Sequence, residues 1–303
     1  DVRSLAYRCY KDTAFSAGES TELQTFRRHR YSRITSVTAT RYAGIWTMIP
    51  EGSFITEGPH RDYLNEFLAG IFPDSFARGE IYVNPETEES ELCGTTASLA
   101  GIERFDYEGN MEGVSRGIRY DVALHALLLS LPEFGTSNGD EVGQLNDYTY
   151  KTDISKAADP RWLHNGRFNW ALARNRADAE TIQGRIFNSL EQLESIRASH
   201  PVFAPEVSAH TLETWEKALL ALVRETSEEK LIAIYNFSDQ DKVAWINEQD
   251  GTYTDLLTGV QRDAQAVEIP ASDLSGLCTR NNSFVRRIST ICILYTALHR
   301  ITG

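Results

Sequence analysis

The chain has 303 residues, 41% of them apolar, and a formal net charge of −13; that is enough for one large or two ordinary domains with a real core. The acidic balance repels phosphate backbones and anionic lipid headgroups, which excludes nucleic acid and membrane surfaces as partners outside a local basic patch and favours a neutral or cationic ligand. Four cysteines, Cys9, Cys93, Cys278 and Cys292, lie far apart with neither metal-ligand spacing nor the density of a secreted scaffold, so they read as free thiols. With no charged start followed by an apolar run, the expected location is the cytoplasm, and the sequons at Asn236 and Asn281 are chance matches.

Residues 1–58 mix "FRRHRYSR" with "YAGIWTMIPEG" and carry no sustained period, which reads as a solvated, weakly ordered segment. "VALHALLLSLP" at 122–132 is apolar nearly all round and predicts a buried helix ending at Pro132, with His125 as a hydrogen-bonded core residue. From Ala177 to Ser199 a second helix is predicted, because Ile182, Ile186, Leu190, Leu193 and Ile196 share one stripe; His200-Pro201 stops it. "TWEKALLALVRE" fits a helix or a strand that hairpins through "TSEE". Between Glu229 and Leu274 the period changes to short β-rich segments, "KLIAIYNFS", "KVAWIN", "TYTDLLTG" and "AVEIP", which predict a small antiparallel sheet domain. The closing "ISTICILYTALHRI" is apolar but shorter than the roughly 20 residues that span a bilayer. It reads as a buried strand or a sticky tail, and no internal repeat or low-complexity linker occurs.

Two polar stretches stand out. In "GDEVGQLND" (139–147), Asp140 and Glu141 sit between Gly139 and Gly143 and are placed to present carboxylates at the end of a strand. In "DPRWLHNGRFNW" (159–170), Trp162, Phe168 and Trp170 stand beside Arg161, Arg167, His164 and Asn165. Flat apolar faces next to fork-shaped donors suit sugars, whose rings have apolar CH faces and a hydroxyl rim. The same spacing equally fits Trp162 and Trp170 as core anchors with the arginines paired locally to acids.

The runs "HRDYLNEFLAGIFPDSFARGEIYVNPET", "GTTASLAGIER", "GDEVGQLNDYTYK", "DPRWLHNGRFNWALARNRAD", "GRIFNSLEQLESIRASHPVF" and "AIYNFSD" resemble, in that order, the amylosucrases of the α-amylase family of glycoside hydrolases. The resemblance covers roughly residues 60–104 and 139–274. It implies an α/β fold: the last strands and helices of a partial (β/α)8 TIM barrel, followed by an antiparallel all-β C-terminal domain. Residues 1–58 are then a remnant of the seventh-strand region, 59–200 the C-terminal part of the barrel with a loop subdomain, 201–275 a β-sandwich and 276–303 an atypical tail. The implied function is α-glucosyl transfer or hydrolysis on sucrose and α-glucans by a retaining double displacement, which needs two carboxyl groups about 5 to 5.5 Å apart and no cofactor or metal. By the same resemblance, Arg161 pairs with an acid and holds the glucosyl ring, with Trp162 beside it. Asp140 and Glu141 lie near the pocket base, and Tyr63 and Arg78 sit on the loop that shapes the acceptor side.

The departures from the family pattern are specific. The resemblance places the nucleophile and the acid/base upstream of "DVRSLAY", so neither is expected within these residues, and Tyr42 in "RYAGIWT" stands where a third catalytic carboxylate belongs. "LPEFGTSNGDE" makes a poor buried eighth strand, and Glu91 replaces an acceptor-channel arginine. A barrel takes about 250 residues and only 200 precede Pro201, so the chain is expected to be inactive alone, with room for a second chain that completes the barrel. The alternatives are a non-catalytic carbohydrate-binding or interaction subunit of the same family, or a chain whose stretches 1–58, 105–138 and 276–303 are damaged by a shifted reading frame.

Overall fold

The computed structural model describes residues 66–280, apart from 74, 89, 132–138, 217, 237–239, 247–251, 264 and 272. Contacts divide the chain into two units, one of Asp1–Asp121 with Gly135–Asn188, the other of Val122–Phe134 with Ser189–Gly303. The strands expected from the barrel fall in 1–58 and 133–138, outside the described residues. All strand pairs among the described residues are antiparallel.

In the first unit a short hairpin pairs β1 (Glu80–Val83) with β2 (Ser90–Cys93). Two short helices follow, α1 (Thr96–Leu99) and α2 (Ile102–Tyr107), and then the long α3 (Met111–Leu129), whose residues from Val122 on belong to the second unit. α3 starts well before the predicted Val122; its first turns bury Val114, Ile118 and Tyr120, with Gly113 and Gly117, between polar positions and so show no continuous apolar run. It lies in one of the stretches suspected of damage, yet from Val114 to Leu129 its apolar residues are buried, Met111 at its start being exposed. Cys93 is buried and in no disulfide. α4 (Trp170–Ala173) precedes α5 (Ile182–Ser199), whose residues from Ser189 on belong to the second unit. α5 begins at Ile182 and not at Ala177: residues 174–177 form a 3-10 turn, and the Thr181 hydroxyl accepts the Gly184 N–H at 3.0 Å, a cap that sets the first helical turn.

The second unit is a two-layer β structure. A six-stranded sheet runs in the order β3 (Ala209–Leu212), β4 (Leu219–Glu225), β5 (Glu229–Asn236), β10 (Asp273–Arg280), β7 (Thr252–Asp255), β8 (Gln261–Asp263). A ribbon of β6 (Lys242–Trp245) and β9 (Ala266–Ile269) covers one face, and Leu219, Ala221, Ile232, Ile234, Ala244, Ile246, Tyr253, Val267 and Ile269 fill the space between. The sheet thus begins at Ala209, earlier than the sequence pattern indicated, and "ALLALVRE" is a strand hairpinned to β5. Its apolar run does not alternate because both faces of β4 are covered. Asn236 is fully buried, and its Nδ2 donates to the carbonyls of Gln240, Ile269 and Pro270 at 2.8, 3.0 and 2.9 Å.

On the opposite face, Val202, Phe203 and Leu231 form a smaller cluster. Here Arg224, with no exposed surface, donates to the carbonyls of Ser130, Ala204 and Val207 at 3.1, 2.6 and 2.7 Å. Arg197 donates to Leu129 O and Leu131 O. Two guanidinium groups therefore satisfy carbonyls at the C-terminal end of α3, where the helix dipole favours cations. Burial, with Arg197 nearby, lowers the pKa of Arg224 to about 10. The Tyr235 hydroxyl donates to Ala126 O at 3.2 Å, and its burial raises its pKa. His125 is buried, as expected of a core histidine. No helix among the described residues is long and apolar enough to cross a membrane.

Candidate functional site

The two polar stretches meet in the first unit. Gln144 Nε2 donates to Arg167 O at 3.3 Å and its Oε1 accepts the Asn169 N–H at 3.0 Å. The Asp147 N–H donates to Leu163 O at 2.8 Å. Asn146 is the hub: its Oδ1 accepts the Thr95 N–H at 2.8 Å, and its Nδ2 donates to Arg78 O and to Tyr148 Oη. His164 Nδ1 accepts the Gly94 N–H at 3.1 Å, tying the same turn to β2. Sequence reasoning missed the positioning roles of Asn146 and His164, since one loop amide or imidazole carries no periodic signal.

Gly139 and Gly143 flank their acids for a backbone reason. They bound a 3-10 turn at Asp140–Val142 with φ of +106° and +57°, a region that costs a residue with a Cβ roughly 1–2 kcal/mol. Asp140 is buried at 8% exposure, and the Glu141 carboxylate turns back to accept the Gly139 N–H at 2.8 Å. Asp140 is thus largely withdrawn from solvent, and one oxygen of Glu141 is committed to its own turn. Arg78 is half-buried, its Nη1 donating to Ala77 O at 3.2 Å. Tyr63 lies outside the described residues; of Glu91 only the backbone is described, paired with Tyr82.

Arg161 sits on a 3-10 turn, Pro160–His164, capped by Asp159. Asp159 accepts the Arg161 N–H at 3.1 Å and holds its guanidinium with both oxygens, Nε to Oδ1 and Nη2 to Oδ2, each at 2.8 Å. These bonds hold the Asp159 carboxyl below the usual carboxylate range. The guanidinium lies 4.1 Å from the centre of the Tyr82 ring on β1. Beside it Trp162 is 38% exposed, with the Lys156 ammonium 4.2 Å from its ring; Trp170 is 72% exposed and meets Phe168 edge to face at 4.7 Å. Trp162 and Trp170 are therefore not core anchors, whereas Arg161 does pair with a local acid.

Further along β1, Glu80 accepts the Tyr150 hydroxyl and pairs with Lys151 at 2.5 Å. Burial and this bond raise the Tyr150 pKa. Tyr148 donates to Glu103 at 2.8 Å, and burial, reinforced by Glu103, raises its pKa to about 12. The acids of this surface thus hold neighbouring side chains or loop N–H groups in place. That arrangement offers a surface of fixed hydrogen-bonding groups beside exposed aromatic rings.

No family model matches the sequence. Among solved structures, the chain is similar to the ligand-free cyclic α-maltosyl-(1→6)-maltose hydrolase from Arthrobacter globiformis, at 16% identity and a TM-score of 0.42 over 82% of this chain and 43% of that one. It is also similar to Amy13B of Eubacterium rectale (17% identity, TM-score 0.40, 63% of this chain and 38% of that one). A third is the isomaltulose synthase SmuA from Protaminobacter rubrum (13%, TM-score 0.38, 52% and 38%). The chain spans less than half the length of each. Overlaps of this size do not establish a common fold, so the functional reading stands on motifs and local geometry.

Proposed function

We propose that this chain carries the C-terminal half of an amylosucrase-like scaffold for α-glucosyl transfer, and that its part in that function is to bind sucrose and α-glucan chains. The observation that carries the reading is the Asp159–Arg161 pair laid over Tyr82 with Trp162 alongside. It sets a guanidinium fixed by Asp159 and Tyr82 beside the partly exposed indole of Trp162, an oriented donor next to an apolar face, the combination a sugar ring requires. The order of the motifs supports the same reading, and Tyr42 in the place of a catalytic carboxylate favours a version in which binding is kept and turnover lost.

The test is isothermal titration of the intact chain with sucrose and with maltoheptaose. Arg161→Ala removes both charge-assisted bonds to Asp159 and frees the ring of Tyr82; it is expected to weaken binding about tenfold or more. Binding unchanged in Arg161→Ala, with the fold intact by circular dichroism, refutes this site.

A further inference from the structure

The second unit carries a separate pair of exposed indoles. Trp215, in the connection between β3 and β4, is 73% exposed, and Trp245, at the end of β6, is 56% exposed. They are neighbours, because the Trp245 N–H donates to the carbonyl of Thr214 at 3.2 Å. Trp245 faces outward by strand alternation, since Ala244 before it is buried in the core. Across the ladder it stands opposite Ala266, a small residue that leaves the ring face open.

Trp215 is held in an unfavourable conformation. Its φ is +57°, a region in which a bulky residue is a genuine outlier. The turn around it is fixed: the Trp215 N–H donates to Glu213 Oε1 at 3.2 Å, the Thr214 hydroxyl to Glu216 O at 3.0 Å, and the Ala218 N–H to Glu216 Oε1 at 3.1 Å. Strain of this kind persists only where the surroundings over-determine it, and it clusters at ligand-binding positions. Among the described residues neither indole N–H has a hydrogen-bond partner.

We propose that Trp215 and Trp245 form a second carbohydrate site on the β unit, one that takes a segment of a neutral α-glucan chain across both rings. The proposal rests on the α-glucan reading of the Arg161 surface for the identity of the sugar, but not on that surface for its geometry. The rim decides the ligand class. Glu213 and Glu216 flank Trp215 in the chain, Glu268 lies on β9 two residues from the Ala266 that faces Trp245, and among the described residues the nearby cation Lys242 is paired with Glu216 at 3.6 Å. Carboxylates of that number repel phosphates, acidic peptides and a second copy of a chain with net charge −13. They accept hydrogen bonds well from sugar hydroxyls, while two indole faces supply the stacking surface.

The test titrates maltoheptaose into the intact chain, followed by tryptophan fluorescence and calorimetry, with Trp245→Ala, Trp215→Gly and Arg161→Ala in parallel. Trp215→Gly separates binding from folding: glycine adopts the positive φ freely, so this variant is expected to unfold at the same or a higher denaturant concentration while its affinity at this site falls about tenfold. Trp245→Ala is expected to give the same loss. If both tryptophan variants bind as the unsubstituted chain does while Arg161→Ala binds more weakly, the second site is overturned and the Arg161 reading stands. If only the tryptophan variants lose affinity, the second site stands and the Arg161 surface is not a sugar site. No maltoheptaose binding to the unsubstituted chain overturns both.

Discussion

Replacing Arg224 with alanine tests how the second unit is held together. The side chain has no exposed surface and donates to three carbonyls, of Ser130, Ala204 and Val207. Hydrogen bonds from a charged donor contribute roughly 1.5–3 kcal/mol each, while burying the cation costs several kcal/mol, which offsets part of their sum. The expected net loss for Arg224→Ala is about 3–5 kcal/mol, the range for breaking a buried charged network. Arg224→Met, which refills the volume and removes the cation but leaves the Ser130 and Val207 carbonyls without this donor while Ala204 O keeps the Val207 N–H, should lose about 2–3 kcal/mol. The sign of the charge contribution follows from the pKa, which falls from 12.5 to about 10 in the folded chain. A depressed pKa on a cation is a penalty fully present at neutral pH and relieved only above pH 10, so the stabilisation comes from the bonds and not from the charge. The assay is urea unfolding, with amide exchange in β4 and β5 to report this unit separately. Stability of Arg224→Met within about 0.5 kcal/mol of the unsubstituted chain, the range of ordinary surface changes, refutes the reasoning.

Three further outcomes are expected. Gly143→Ala should destabilise by about 2–3 kcal/mol in thermal unfolding, combining the cost of positive φ with crowding, because an added Cβ would lie 2.4 Å from Ile186 Cδ1; a loss under about 0.5 kcal/mol contradicts the turn geometry. The Asp159 carboxyl, depressed by its bonds to Arg161, contributes stability above the ordinary aspartate pKa that is lost only as pH falls below it. Its carbon-13 titration should midpoint below that of the exposed model group and move up in Arg161→Ala. If the proposed amylosucrase-like reading holds, with Tyr42 where that resemblance expects a carboxylate, the purified chain incubated with sucrose should release neither glucose nor fructose; sustained release of either sugar removes that expectation.

The parts of the fold legible in the sequence are those with a period. The stripe of Ile182, Ile186, Leu190, Leu193 and Ile196 predicted the inner face of α5: the three central residues are buried and the two at the ends half-buried. "KLIAIYN" and "AVEI" predicted β5 and β9. Boundaries were less legible: Thr181 moved the start of α5 through one hydroxyl, and the polar first turns of α3 hid its beginning. β4 was ambiguous because Leu219 to Val223 face apolar layers on both sides, which erases alternation. At the candidate site, the types of residue were legible and their company was not. Arg161 and Trp162 stood out by composition, but the ring beneath Arg161 belongs to Tyr82, far away in the chain. The acids beside Gly139 and Gly143 looked chemical, yet the glycines are there for backbone geometry and Glu141 serves its own turn.

The fully bonded amide of Asn236 bears on how this protein can be made. "NFS" is an acceptor for N-linked glycan, and oligosaccharide transfer modifies the same nitrogen that donates to Gln240, Ile269 and Pro270. A glycan there would replace one of its two hydrogens with a bulky hydrophilic group, inside a position with no exposed surface. A chain modified during entry to a secretory pathway could not close its two β layers, whereas a chain made where no such transfer occurs meets no such obstacle. Production through a eukaryotic secretory route therefore calls for Ser238→Ala, which removes the acceptor signal and keeps the amide that stitches the layers together.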